Sequence, residues 1–375
     1  METKSFVTEE NESVVTIKFT IDANEHTVYF KSKQIRLQDS AEALLNFSIL
    51  PNLYAGSNLR LNRPISRRLC NSTKKIIDIF CKWNPKYNYV EIIDAVPGRT
   101  EDQVERRVGV FFSTGLDSIY TLLKNLHEIT DMIFIHGYDL RISEIDLRKK
   151  TSDIIEQIGR EFNKNVIHVE TNLKDVLGQY IPWAKLLHGA ALTTIGHMMS
   201  RHFRKIFISA NHTYANLQPN GAHPILDPLW STESLEFEHF GCEADRIEKA
   251  AYIAQFEIAL NSLRVCWKKT GGAYNCGECN KCLITMINLY LAGALDRCST
   301  FDKKISYWKM KMELNFMPEG WRAYVRQNID HLEKTNSDKK MLKALRKIYN
   351  RTIWGCYFIA AIKKAGMLYE KYKKR

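Results

Sequence analysis

Apolar positions change their spacing along the chain, and each change marks an element. From Ser13 to Ile21 they alternate, with Val15, Ile17, Phe19 and Ile21 on one face, the period of a half-buried strand. His26–Phe30 reads as its partner across the polar Asp22-Ala-Asn-Glu turn, while residues 1–12 read as a polar, frayed start. Ala41–Leu45 and Ser66–Trp83 carry helical spacing; Tyr87–Ile93 returns to a strand pattern, closed by Pro97-Gly98. Short continuous apolar runs follow at Val108–Phe112, Met132–His136, Val166–Val169 and Ile206–Ser209, as in strands covered on both faces. Helical patterns fall between them, over Asp117–Glu128, Ser143–Phe162 and Lys185–Phe203. Alternating strands and helices predict an α/β fold, a doubly wound parallel sheet with right-handed crossovers. Beyond Asp302 the pattern is helical throughout. The predicted organisation is an N-terminal α+β domain over 1–99, an α/β domain over 100–300 and a helical domain over 301–375.

Composition adds little to this picture, but the placement of charge adds a good deal. With 45% hydrophobic and 26% charged residues the chain is ordinary for a globular protein, and no apolar run is long enough to span a bilayer. Residues 301–375 hold 19 Lys+Arg against 7 Asp+Glu, and residues 1–300 hold 35 of each, so the whole net charge of +12 sits in the last 75 residues. There, Arg346-Lys347, Arg351, Lys363-Lys364 and Lys371 to Arg375 flank the apolar stretch Ile353–Ile362. The plain expectation is a helix that packs Ile353, Phe358, Ile359 and Ile362 on the core and solvates its lysines. The sharper readings are an RNA-binding face or a membrane-surface helix, the latter requiring that the apolar face be free.

Two motifs carry chemistry. Val108–Phe112 runs into Ser113-Thr-Gly-Leu-Asp-Ser118, a strand, a tight turn and a helix start. Backbone N–H groups and the helix dipole at such a start favour phosphate, and Asp117 supplies a carboxylate that can hold Mg²⁺ against it. Gly115 is the residue expected to take backbone angles closed to side chains. No Gly-Lys-Ser/Thr follows, so this is not a Walker loop. The second motif is Cys266, Cys276, Cys279 and Cys282, a C-x9-C-x2-C-x2-C cluster entering a helix over Leu283–Leu291, with Gly271-Gly272 and Gly277 as turns. Four thiolates so spaced can surround one Zn²⁺. The start of the chain reads without a secretory signal and its nine cysteines are an odd set, so a reducing, cytoplasmic home and a metal rather than disulfides are expected.

Ser113, Gly115, Asp117 and Ser118 match the Ser-Gly-Gly-x-Asp-Ser signature of the PP-loop ATP pyrophosphatases, with Thr114 in place of the first Gly. With the cysteine cluster downstream, residues 105–300 resemble the QueC family, the 7-cyano-7-deazaguanine synthases. The resemblance implies an adenine-nucleotide α-hydrolase fold, ATP and Mg²⁺ as cofactors and a structural Zn²⁺. It also implies adenylation of a substrate carboxylate or amide with release of pyrophosphate, then attack by a nitrogen nucleophile. Ser113, Thr114, Gly115, Leu116, Asp117 and Ser118 would cradle the phosphates; His136, Gly137 and Tyr138 would line the adenine pocket, with Asn211. Lys249 on a later helix, with Arg246 on the same face, would oppose the leaving pyrophosphate. Lys185 or His188 would replace an arginine of the family, and Asp117 and Ser118 complete the catalytic set. Asn211, His212, His223, Asp227, Ser231 and Thr232, in the long loop after the fourth strand, offer bonds to a polar heterocycle or carboxylate. Extra domains resemble QueC-like proteins of anti-phage operons, where a protein amine is the acceptor; the partners implied are a small-molecule substrate, a deazapurine or carboxylate, and such a protein, with a homodimer among the assemblies allowed. Two alternatives stay open: a tRNA-modifying PP-loop enzyme, favoured by the basic tail, and a non-catalytic nucleotide-binding partner, favoured by Thr114 and Ala184. In sulfur-transferring relatives a cysteine attacks the adenylate, a role open to Cys242.

Overall fold

The computed structural model describes residues 2–7, 11–93, 96–98, 106–268, 273–302, 304–315 and 319–373. Eight strands form one sheet. Three are antiparallel, β1 (Glu2–Val7), β2 (Ser13–Ile21) and β3 (Asn24–Ser32). Five are parallel, β4 (Arg107–Phe111), β5 (Asp131–His136), β6 (Asn165–Thr171), β7 (Phe203–Ser209) and β8 (Glu236–Phe240). Their order across the sheet is β1-β2-β3-β6-β5-β4-β7-β8, so the winding reverses between β4 and β7. In sheets of this kind ligands bind beyond the carboxyl ends of the strands at the reversal. The α/β class and the mostly parallel sheet agree with the sequence pattern.

The fifth parallel strand, β8, is absent from the sequence reading. Its Glu-Phe-Glu-His-Phe alternation carries charge on one face, as edge strands do, and offers no continuous apolar run. Residues 2–7, expected to fray, pair with β2. The β2–β3 hairpin turns through Asp22 and Ala23, both with positive φ, as a two-residue hairpin turn demands. Tyr87–Ile93 contributes only the two-residue strand Ile92–Ile93.

Residues 1–99 are not set apart. β3 pairs antiparallel with β6 through Lys31↔Glu170 and Phe30↔Thr171. Helices α1 (Ala41–Ala55) and α2 (Arg67–Trp83) start at Ser40 and Ser66, whose hydroxyls accept the Ala43 and Leu69 N–H groups at 3.2 and 3.1 Å. Their Leu45 and Phe80 belong to one hydrophobic core with Ile133, Ile206 and Trp230. Along the rest of the sheet run α3 (Leu116–Lys124), α4 (Ile145–Glu161) and α5 (His188–Met198); Asn46 on α1 donates to Thr193 on α5 at 3.0 Å.

The chain divides into two compact units, one of residues 1–113, 117–213 and 217–242, the other of 114–116, 214–216 and 243–375. The division thus falls at 242/243 rather than at 100 and 300. The second unit has its own core, with Leu283, Ile287, Met310, Val325 and Leu345 at its centre. It contains α6 (Arg246–Ile253), α7 (Asn280–Leu291), α8 (Tyr307–Glu313), α9 (Glu319–Thr335), α10 (Lys339–Tyr349) and α11 (Ile353–Lys373). Among the described residues no helix is long and apolar enough to cross a membrane.

Candidate functional site

The turn after β4 stands where the sheet's winding reverses. Ser118 Oγ accepts the Ser113 N–H at 3.2 Å, and the two hydroxyls lie 3.4 Å apart. The left-handed residue of this turn is Thr114, at φ +58°, rather than Gly115. A β-branched side chain in that region is strained by roughly 1–2 kcal/mol. Thr114 is fully buried, and its carbonyl accepts the Arg264 N–H at 2.9 Å. Asp117 lies inside the first turn of α3, where its charge suits the helix dipole.

At the end of β5, Gly137 has φ +100°, and a Cβ there would lie 1.9 Å from the Thr171 carbonyl oxygen, so only glycine fits. His136 is committed to an internal network. Arg148 Nε can only donate, so it bonds Nδ1 of His136 (3.1 Å); Nε2–H of His136 then donates to His168 Nδ1 (3.1 Å), and His168 Nε2–H to Glu156 (3.1 Å). Burial, with the charge of Arg148 added, pushes the His136 pKa down to about 3. Arg148 also pairs with Glu170, which accepts from the Tyr29 hydroxyl at 3.0 Å; burial and the Glu170 charge push Tyr29 up to about 12. Tyr138 is likewise occupied. Its hydroxyl donates to the Ala191 carbonyl (3.2 Å) and its ring meets Trp183 edge-on at 4.6 Å. Both rings thus have internal partners, while the backbone of residues 136–138, which the resemblance would place along an adenine pocket, lies at the end of β5.

The segment from Pro182 departs from the expected helix over Lys185–Phe203. Trp183–Leu187 is a π-helical turn, with the Leu187 N–H donating to the Pro182 carbonyl at 3.2 Å, and α5 starts after it. Gly221 N–H donates to the Ala184 carbonyl (3.0 Å), and a Cβ on Gly189 would lie 2.0 Å from the Gly221 oxygen. This close approach holds the long loop after β7. Lys185 is exposed, and the His188 ring rests against Trp183 at 5.3 Å.

Within that loop Asn211 and His212 are half-buried, but four expected substrate contacts are used internally. Ser231 Oγ accepts the Phe237 N–H (2.9 Å), Thr232 Oγ1 the Leu235 N–H (3.0 Å), and His223 Nδ1 the Ile225 N–H (3.1 Å). Asp227, fully buried, bonds His239 Nδ1 through Oδ2 at 2.7 Å and accepts the His223 N–H at 3.2 Å through Oδ1. The Cys242 thiol lies near enough to the His239 imidazole to favour its charged form. Burial opposes charge on His239, yet the bond to Asp227 and the nearby Cys242 outweigh it and push the pKa up to about 9. Asp227 and His239 therefore form a hydrogen-bonded acid–imidazole pair with the Cys242 thiol nearby, at the carboxyl end of β8, a grouping that depends on tertiary pairing and leaves no mark in the sequence. Gly241, at φ +106°, makes the turn between strand and cysteine.

In the second unit, α6 begins with a capping box in which Asp245 accepts the Ile247 and Glu248 N–H groups and Glu248 accepts that of Asp245. Arg246 and Lys249 follow on one face, both buried; Lys249 is among the largest fully buried side chains, and Arg246 lies 5.2 Å over the Tyr324 ring.

The same unit brings the four cysteines together. Their sulfurs all lie within 4.8 Å of one another, Cys266 to Cys279 at 4.0 Å and Cys276 to Cys282 at 3.8 Å. Four Zn–S bonds of about 2.3 Å in a tetrahedron require S···S separations of about 3.8 Å, so the donor set fits a zinc ion. Cys279 and Cys282 N–H groups donate to Cys276 and Cys279 Sγ at 3.2 and 3.4 Å, which favours thiolates. Gly277 has φ +65°, as its turn role requires; Gly271-Gly272 lie outside the described residues. A residue not foreseen holds the two halves of the cluster: buried Asn275 accepts the Val265 and Cys266 N–H groups (3.0 and 3.2 Å) and donates to the Leu263 carbonyl (2.9 Å). An Asn directly before the Cys-x2-Cys pair is the only signal the sequence offers for it.

No family model, no curated protein and no solved structure matches this chain.

Proposed function

We propose that this protein is a QueC-like PP-loop enzyme that uses MgATP to adenylate a substrate carboxylate or amide, of deazapurine or related type, releasing pyrophosphate for attack by a nitrogen nucleophile. The observation that carries the reading is the backbone at residue 114. The PP-loop signature has glycine there, and this chain holds a threonine at φ +58°, the conformation glycine would supply, in the turn after the strand at which the winding reverses. Keeping that shape against the strain of a β-branched residue is what a functional turn does. In this reading the amides of residues 113–118 and the α3 dipole receive the phosphates, and Asp117 holds Mg²⁺. Lys249, fully buried on α6, is the cation that the resemblance would set against the departing pyrophosphate. Zinc would organise the second unit and take no part in the chemistry, since four thiolates leave no open position.

A second reading, thiol chemistry on the same adenylate, is favoured by the Asp227–His239–Cys242 set. The protein would be incubated with MgATP and a panel of deazapurine acids and amine acceptors, the nucleotide products being separated by chromatography. The expected products are AMP and pyrophosphate, lost in Asp117→Ala with the fold retained. ADP and phosphate as products would sink the PP-loop reading. A stoichiometric acyl adduct on Cys242 would favour the second reading over direct attack by nitrogen.

A further inference from the structure

Helix α11 turns its apolar side outward. Ile359 is the one buried large apolar residue between Ile353 and Ile362, while Trp354 is 79% exposed, Phe358 67%, Tyr357 58%, Ile353 57% and Ile362 43%. The expectation that Ile353, Phe358 and Ile362 pack on the core is thereby overturned. The exposed residues recur at helical spacing, Trp354, Tyr357, Phe358 and Ala361, and form one face with Lys364 beside it. The opposite face does the holding. Asn315 donates to the Cys356 carbonyl (2.8 Å), Arg351 donates to Asn315 Oδ1 (2.7 Å), and Lys363 pairs with Glu313 at 2.9 Å. The helix is thus fixed by its polar side and presents a contiguous aromatic face, which a lone globular protein seldom leaves in water.

Three occupants compete for that face. A second copy of the chain would bring two segments of +12 together, a repulsive arrangement. An RNA backbone needs several cations on the contact face, and among the described side chains Lys364 is the one cation beside these aromatics. An anionic bilayer satisfies both halves of the pattern. Its headgroup layer takes Trp and Tyr rings, its acyl boundary takes Phe and Ile, and its negative surface attracts Lys364 and the net positive charge of residues 301–375. The helix is not apolar enough to cross, so it would lie in the surface.

We propose that α11 is a membrane-surface helix that docks this protein on anionic lipid through Trp354, Tyr357, Phe358 and Ile362. This inference is independent of the ATP reading. The test is flotation of the full-length protein with vesicles of phosphatidylcholine containing about a third phosphatidylglycerol. Partitioning should fall about tenfold or more on pure phosphatidylcholine, and fall again as salt is raised well above physiological strength. Trp354→Ser/Phe358→Ser, both exposed, should lower partitioning at least about tenfold while circular dichroism and metal content stay as in the parent. Lys364→Glu should weaken binding by about fivefold or more on anionic vesicles only. Absence of flotation, or flotation unchanged by the aromatic pair, overturns the proposal. So does a concentration-dependent dimer dissolved by Phe358→Ser, which would assign the face to a second copy, or RNA binding lost in the same variants.

Discussion

Thr114 and Gly137 are the two residues whose backbone angles most constrain the strand ends, and they respond oppositely to substitution. Thr114→Gly removes strain of about 1–2 kcal/mol but adds about 0.5–1 kcal/mol of chain entropy to be lost on folding. Melting should therefore shift by no more than a few degrees, and any pyrophosphate release should persist. Gly137→Ala places a methyl group 1.9 Å from the Thr171 oxygen at φ +100°, and should cost several kcal/mol in urea unfolding. Two histidines set the pH range of stability. His239 has a folded pKa of about 9 against 6.5 unfolded, so its contribution is fully present below pH 6.5 and is lost as pH rises through 9. The shift corresponds to on the order of 3 kcal/mol. His136 is held neutral with a folded pKa of about 3, so the unfolded chain takes up the proton first and stability falls as pH drops below 6.5. These two groups place the stability maximum near pH 6.5. Urea midpoints measured from pH 4 to 10 should show it, and Asp227→Asn should flatten the alkaline limb alone.

At the scale of elements, the buried strands and the long helices were readable because one physical signal dominated each. β5, buried at every position, shows as an unbroken apolar run, and α2 as a regular stripe behind a serine cap. The losses share a cause as well. β8 is an edge strand with charges on one side, and the π-helical turn at Trp183–Leu187 depends on Gly189 and Gly221 meeting across 32 residues of chain. β8 offers only a short charged alternation without an apolar run, and the π-helical turn leaves no periodic trace. The candidate site divides the same way. The strand–turn–helix at Ser113–Ser118 and the four cysteines, spread over 17 positions, are local in the chain and legible in it. The Asp227–His239–Cys242 set and the internal duties of His136 and Tyr138 arise from tertiary pairing, and were not. The cysteine knuckle fixes the start of α7, whose N-cap is Cys279 itself. Purified protein should carry about one zinc per chain by elemental analysis. Stripping the metal, or Cys279→Ser, should expose the second unit to protease while the sheet of the first stays protected, as expected where metal binding supplies folding energy. Equal cleavage of metal-loaded and stripped protein would refute a structural ion.

For the whole molecule, the feature with the widest reach is the attachment of β3 to β6. Lys31 lies opposite Glu170, so β3 finds its sheet partner only 139 positions later in synthesis. At about 5–20 residues per second, the emerging β2–β3 hairpin waits roughly 7–28 s with its β3 edge unpaired. A two-stranded hairpin has little stability of its own, and Val28 and Phe30, both wholly buried at the end, face water until the rest arrives. The nascent chain is therefore most vulnerable to aggregation, and most in need of a chaperone at the ribosome, between the exit of residue 32 and that of residue 171.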